Sequence, residues 1–255
     1  METYTLCVDV WEGSLDIDEK ILKEAQVEGI SIRINNMSGG HHKDTNFEAQ
    51  WKQSEAFVRW PYFVYNPWVD GKANYDYLYS IFPKDATHVM CDIEVRKEGY
   101  SPATYANEVF KFIELVSKSW SYDIYTGEWF KSYLSYWPNT RYTWARYPYS
   151  MYPKETTYIS WEDLHARLRQ LTWNPSNTSG TCDMWQLSAD RFILPGTAKR
   201  PIDIIAHNGN LDSLKRYTSF SERPENTLSK RLDTIQDMLN NMKDEVAELR
   251  TMLGL

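Results

Sequence analysis

Short apolar runs alternate along this chain with stretches whose apolar residues recur every three or four positions. The runs TLCVDV, ISIRI, PYFVY, HVMCDIEV, YDIYTG, RYTWARY, CDMWQLS and PIDIIA have the length and β-rich character of strands. Between several of them, ILKEAQVEG, FEAQWKQSEAF, ATYANEVFKFIELVSKS and WEDLHARLRQL carry the period of amphipathic helices. Strands alternating with helices predict an α/β fold with a parallel sheet, and this many units predict a closed (β/α) TIM-like barrel. No helical stretch separates the last two strands, so the expected barrel is irregular.

The pattern changes after residue 216. Residues 217–227 are polar and contain Pro224, which reads as a linker. Beyond it Leu228, Leu232, Ile235, Leu239, Met242, Val246, Leu249 and Leu253 recur at spacings of four and three, the seam of a left-handed coiled coil. With Leu232, Leu239, Val246 and Leu253 at a positions, the d set is Leu228, Ile235, Met242 and Leu249. This mixture does not specify a dimer, and a homotrimer is slightly favoured. A single helix packed back on the barrel is the alternative. The expected organisation is a barrel over 1–216, a linker over 217–227 and an oligomerisation helix over 228–255.

Composition narrows the picture. In 255 residues, 42% apolar and 15% aromatic content can fill a large core. No apolar run approaches the roughly 20 residues needed to cross a bilayer. The opening METYTLCVDVWEG has no signal-peptide architecture, so the expectation is a protein made in the cytoplasm and exported by another route. Cys7, Cys91 and Cys182 have unrelated spacings and read as free thiols, mostly buried. A net charge of -7 argues against nucleic acid or an anionic membrane as partner. The histidines of SGGHHKD are adjacent, not spaced as metal ligands, and no P-loop lysine or G-x-S-x-G elbow is present. No metal or cofactor is expected.

The acids carry the chemistry. With 35 Asp and Glu, roughly five acid-x-acid pairs arise by chance, so Asp92 and Glu94 gain meaning only from their place. They end the apolar run HVMCDIEV, where a buried charged pair is costly unless it lies at the carboxyl end of a barrel strand. Two residues apart, they share a face with attachment points about 6 to 7 Å apart. Asp9 interrupts the first strand and Asp203 the last, and these two strands are neighbours in a closed barrel. Four carboxyl groups around one mouth raise at least one pKa, as a general acid requires. The alternative for any one of them is loop capping or pairing with Arg33, Arg96 or Arg146. Trp11, Tyr62, Tyr65, Trp68, Tyr125, Trp144, Tyr147 and Trp185 lie at or beyond strand ends, where aromatic faces suit sugar rings; most other aromatics fill the core.

These residues, in order, resemble the family 25 glycoside hydrolases, the Chalaropsis-type lysozymes. DVWEG resembles the family's D-V-S-x-x-Q-G opening, and ISIRINNMSGG with KDTNFEAQW its strand, glycine loop and helix. CDIE resembles L-D-V-E, YDIYTGEWF the I-Y-T strand, TWARYP W-I-A-x-Y, MWQLS W-Q-Y-S, and PIDIIAHNG V-D-L-N-x-F-N-G. The resemblance covers about residues 4 to 215. It implies cleavage of the β-1,4 bond between N-acetylmuramic acid and N-acetylglucosamine in peptidoglycan, with Glu94 as catalytic acid and Asp92 as its partner. Asp92 then orients the substrate's 2-acetamido group as internal nucleophile, or an acid across the ring activates water. Asp9 and Asp203 shape the charge of the site, Tyr62 matches the tyrosine of G-x-Y-H-F, and the remaining substrate contacts are Tyr65, Tyr125, Trp144, Tyr147 and Trp185. Arg33 matches a structural arginine. Phe63, Ile205, His207, Trp11 and Glu12 depart from the family's residues, which leaves open a descendant that binds glycan without cutting it. Missing export signals suggest a phage origin, either a lysin released by a holin or one carried on the virion with other virion proteins as partners. The coiled coil slightly favours the second.

Overall fold

A computed structural model describes residues 4–14, 18–37, 40–175, 180–197 and 200–219. Their elements are β1 (Thr5–Val10), α1 (Glu19–Glu24), β2 (Val27–Arg33), α2 (Phe47–Gln53), β3 (Val58–Val64), α3 (Gly71–Ile81), β4 (His88–Asp92), α4 (Pro102–Ser119), β5 (Ser121–Gly127), β6 (Arg141–Ala145), α5 (Trp161–Arg169), β7 (Thr181–Ile193), β8 (Pro201–His207) and α6 (Leu211–Tyr217). β1 to β7 pair in sequence order, each parallel to the next. β8 closes the ring, running antiparallel to both β7 and β1. The expected irregular barrel is the observed one. Its irregularity arises because a hairpin connection leaves no length for a crossover helix, so the eighth strand must reverse.

Side-chain parity divides the core into two layers. One parity faces outward, where Val8, Ile30, Ile32, Phe63, Cys91, Ile93, Ile124 and Ile204 meet the helices. The other faces the lumen, which Cys7, Trp60, Tyr62, Met90, Tyr125, Ala145, Met184 and Ile205 fill. Gly29 has no room for a Cβ, which would meet the Cys7 Sγ at 2.7 Å and the Trp60 ring at 3.0 Å. The lumen is therefore packed, not hollow. α4 shows why the outer layer holds: Tyr105, Ala106, Val109, Phe112, Ile113 and Val116 bury one stripe, Ser101 caps Thr104 N–H at 3.1 Å, and Pro102 occupies the first turn.

α3 was invisible in the periodicity. Its buried residues are Gly71, Asn74 and Leu78, too few apolar positions to produce a stripe. At its start Asp70 caps Ala73 N–H at 2.7 Å. The barrel also continues past the expected boundary at residue 216: Tyr217 ends α6 and packs with the lumen residues at the base, its ring under the Arg141 guanidinium at 4.4 Å. The heptad segment 228–255 lies outside the described residues.

At the base a buried polar knot closes the lumen. His88 Nε2 lies 2.9 Å from Asp123 Oδ1, Thr143 Oγ1 donates to Asp123 Oδ2 at 2.5 Å, and His88 Nδ1 lies 3.1 Å from Ser121 Oγ. Burial pushes the His88 pKa down, so the neutral ring donates through Nε2 and accepts from Ser121 through Nδ1. Both carboxylate oxygens of Asp123 are satisfied.

Candidate active site

The carboxyl ends of the parallel strands gather the four acids. Asp9 sits opposite Asp203 in the antiparallel β1–β8 pair. Asp92 ends β4, three strands around the ring, and Glu94 follows two residues later. Each interacts electrostatically with acids across the mouth: Asp92 with Glu94, Asp9 and Asp203, and Asp9 with Asp203 and Glu94. Asp9 and Asp92 are buried, each 6% exposed, while Glu94 and Asp203 are half-buried at the opening.

Their electrostatics follow from burial and mutual repulsion. Desolvation pushes the Glu94 pKa up to about 7. Asp203 rises to about 7, first through desolvation and then through the neighbouring Asp190 carboxylate, which more than offsets the hydrogen bond from Asp190 N–H at 2.9 Å. Asp9 and Asp92 lie well above the ordinary carboxylate range: desolvation is the largest cause for both, followed by Asp203 for Asp9 and Glu94 for Asp92. Among the described residues no ion pair reaches any of the four. Arg33 holds Asp44 at 2.7 Å and Glu12 at 3.5 Å, lowering Asp9 and Asp92 only through space. The mouth thus holds its protons more tightly than free carboxyl groups do, and Asp92 Oδ1 is buried without a hydrogen-bond partner.

Of the aromatics expected at the site, the structure brings three to the acids. Tyr62 lies inside the lumen beside Asp9, and its hydroxyl favours the charged form of that carboxyl group. Tyr125 and Tyr147 both donate to Gln186 Oε1, at 2.7 and 2.8 Å, and Gln186 Nε2 donates to Asp203 Oδ2 at 2.9 Å. Gln186 is the functional candidate that sequence reading overlooked; the signal was an amide in the middle of the apolar strand run MWQLS. Tyr65, Trp144 and Trp185 are elsewhere. Tyr65 packs on Tyr105 and Phe112, Trp144 edge-on to Tyr142, and Trp185 edge-on to Trp173 with its indole N–H on the Arg146 carbonyl at 2.7 Å. The cause is pleat parity: Tyr65 is three residues from the inward Tyr62, and Trp144 and Trp185 each adjoin inward residues. Strand-end position alone does not choose a face.

Trp129 adds an aromatic wall that sequence reading did not single out. At Gly127 a Cβ would lie 2.2 Å from its ring, so glycine lets the indole fold over the end of β5. Trp129 is 47% exposed and stacks on Tyr147 at 5.9 Å; Tyr147 stacks on Tyr152 at 4.7 Å, and the Arg191 guanidinium covers Tyr152 at 4.4 Å. On the other side Trp11 lies against Arg33, and Glu12 accepts from Asn36 Nδ2 at 3.1 Å. Trp68 is exposed in the loop after β3. The departures from the family pattern fall mostly away from the acids: Phe63 faces outward, Ile205 lies deeper in the lumen, and His207 meets Ser213 Oγ at 2.8 Å near the base. Among the described residues no group of His, Cys, Asp and Glu is arranged to hold a metal ion. No helix among them is long and apolar enough to cross a membrane.

No family model matches this sequence, and no curated protein matches it in sequence. Solved structures match in fold. A bacterial lysozyme from Streptomyces coelicolor superposes with a TM-score of 0.66 at 17% identity, over 86% of this chain and 98% of that one. A family 25 glycosyl hydrolase from Bacillus anthracis gives 0.62 at 14% identity, over 85% and 94%. The catalytic domain of endolysin ply40, from bacteriophage P40 of Listeria monocytogenes, gives 0.60 at 19% identity, over 84% and 98%. The described barrel has the fold of these three structures.

Proposed function

We propose that this chain is a peptidoglycan hydrolase that cuts between N-acetylmuramic acid and N-acetylglucosamine. The observation that carries this reading is the convergence of four carboxyl groups, none in an ion pair among the described residues, on one mouth beside a stacked aromatic wall. A structural ion network would neutralise these acids; this one leaves them protonatable and, at Asp92 Oδ1, unsatisfied. The shared fold with lysozymes supports the same reading.

In this mechanism Glu94, half-buried at the opening with its pKa pushed up to about 7, donates its proton to the glycosidic oxygen. Asp92 accepts the N–H of the 2-acetamido group, orienting the acetamido carbonyl towards the anomeric carbon and stabilising the charge that develops there. Asp9 and Asp203 belong to the same coupled cluster and set how readily the mouth gains and gives up protons around the oxocarbenium-like centre. Gln186 fixes Tyr125 and Tyr147 so that the Trp129–Tyr147–Tyr152 wall presents flat faces to sugar rings.

The test is release of reducing ends from purified peptidoglycan by the native protein and by Glu94→Gln. Loss of about 10³-fold in the variant supports the reading, within the range of general-acid contributions. Equal, background-level signals from both sink it and leave a glycan-binding protein. The likeness to a phage endolysin domain supports a phage lysin. The heptads of 228–255 support self-association, as a trimer by preference. Sedimentation of the full chain against one ending at Ser221 checks it; two monomers contradict it.

A further inference from the structure

Just past Glu94 the surface changes sign. A cavity of about 220 Å³ opens between the loop after β4 and the turn after β5, with Arg96, Lys97, Tyr100, Tyr105 and Tyr133 in its lining. The Arg96 guanidinium lies 4.8 Å over the Tyr133 ring, and Lys97 Nζ lies 2.9 Å from the Tyr100 hydroxyl and 4.0 Å from its ring centroid. Among the described residues neither cation forms an ion pair, in contrast to Arg33, Arg59 and Lys111. Pro102 also lines the cavity, so the first turn of the 18-residue α4 adds the positive end of a long helix. Tyr105 ties the cavity to the acids: its hydroxyl donates to the Val95 carbonyl at 2.7 Å, holding the backbone directly after Glu94.

Resting on the muramidase reading, we propose that this cavity is a subsite for a carboxylate of the stem peptide borne by the muramic acid at the cleaved bond. A guanidinium and an ammonium fixed by aromatic rings, without carboxylate partners of their own, match an anionic group in charge and donor number. Reach fits as well. Two residues of chain span at most about 7 Å, so the backbone of Arg96 lies within that distance of the backbone of Glu94, a distance that two residues of stem also cover. The site reconciles a chain of net charge -7 with a polyanionic substrate: attraction is local, placed where the stem leaves the glycan.

The experiment compares kcat/KM on peptidoglycan with intact stems and on the same glycan stripped of them by an amidase. It uses the native chain, the double variant Arg96→Gln/Lys97→Gln and the charge-keeping double variant Arg96→Lys/Lys97→Arg. The native ratio of intact to stripped substrate falls about tenfold in the glutamine variant and is largely kept in the charge-keeping one. An unchanged ratio, or equal losses on both substrates, overturns the proposal. Calorimetry with a soluble stem-bearing disaccharide and its stem-free counterpart separates the two readings. If the native chain cuts neither glycan, the hydrolase reading fails, yet stem-dependent binding lost in the glutamine variant still upholds the subsite. Absence of stem-dependent binding overturns it. Displacement by a teichoic acid fragment and not by free stem peptide assigns the cavity to phosphate and also overturns it.

Discussion

The two ends of one lumen treat buried carboxyl groups in opposite ways. At the base, Asp123 is fully buried yet both its oxygens receive donors, from His88 and Thr143. At the mouth, four acids share one space without a paired cation among the described residues, and Asp92 keeps a bare oxygen. The base is a finished structure, because a buried charge is tolerable only when its hydrogen bonds are complete. The mouth is unfinished, and on the proposed reading a glycan completes it.

The largest effect on stability therefore belongs to the base. His88→Ala removes one of the two donors that hold Asp123 and leaves a buried charge half-satisfied, at a cost of about 3 kcal/mol. Thermal unfolding of this variant falls by roughly 6 to 12 °C, at about 2 to 4 °C per kcal/mol for a domain of this size. Turnover per folded molecule is unchanged. A drop of that size on substituting a mouth acid instead would erase the contrast.

Removing acids from the mouth works in the other direction. The folded-state pKa of Glu94, about 7, lies above its ordinary 4.5, so between these values the folded chain holds a proton that the unfolded chain releases. The stability gained from this proton is complete below pH 4.5 and is lost as the pH rises through 7. Glu94→Gln and Asp203→Asn together raise the melting temperature at pH 8 by about 2 to 4 °C, roughly 1 kcal/mol, and flatten its decline between pH 5 and 8. Scanning calorimetry across that range checks it; a lower melting temperature at pH 8 contradicts it. Smallest is Tyr147→Phe, which removes one donor to Gln186 and costs about 0.5 to 1 kcal/mol, with a few-fold loss of kcat/KM on glycan.

The same contrast shows what a sequence conveys. The barrel was legible because its strands are short apolar runs, and the reversal of β8 was foreshadowed by the missing helix before it. Asp9, Asp92 and Asp203 stood out as charges inside such runs. Tyr65, Trp144 and Trp185 could not be told from Tyr62 and Tyr125 by proximity to a strand end, since one step of the pleat sends a ring into the outer layer. Counting parity from the acids would have sorted them. Trp129 was hidden for another reason: its position depends on the space left by Gly127, a packing relation two residues away. Gln186 and Asp190 act through hydrogen bonds to Asp203 across a strand pair; only Gln186 has a local mark, a polar amide inside an apolar strand run. The Arg96–Lys97 cavity forms from a loop and a turn that meet only in the folded barrel.

The most direct test of the account is the pH dependence of reducing-end release from purified peptidoglycan, measured for the native chain with Glu94→Gln as control. If Glu94 is the proton donor of an active mouth, the native rate falls as the pH rises past about 7, tracking loss of the proton from Glu94, and the variant shows no such limb because its activity is gone. A native rate that is flat from pH 5 to 9, or that survives in Glu94→Gln, contradicts the account.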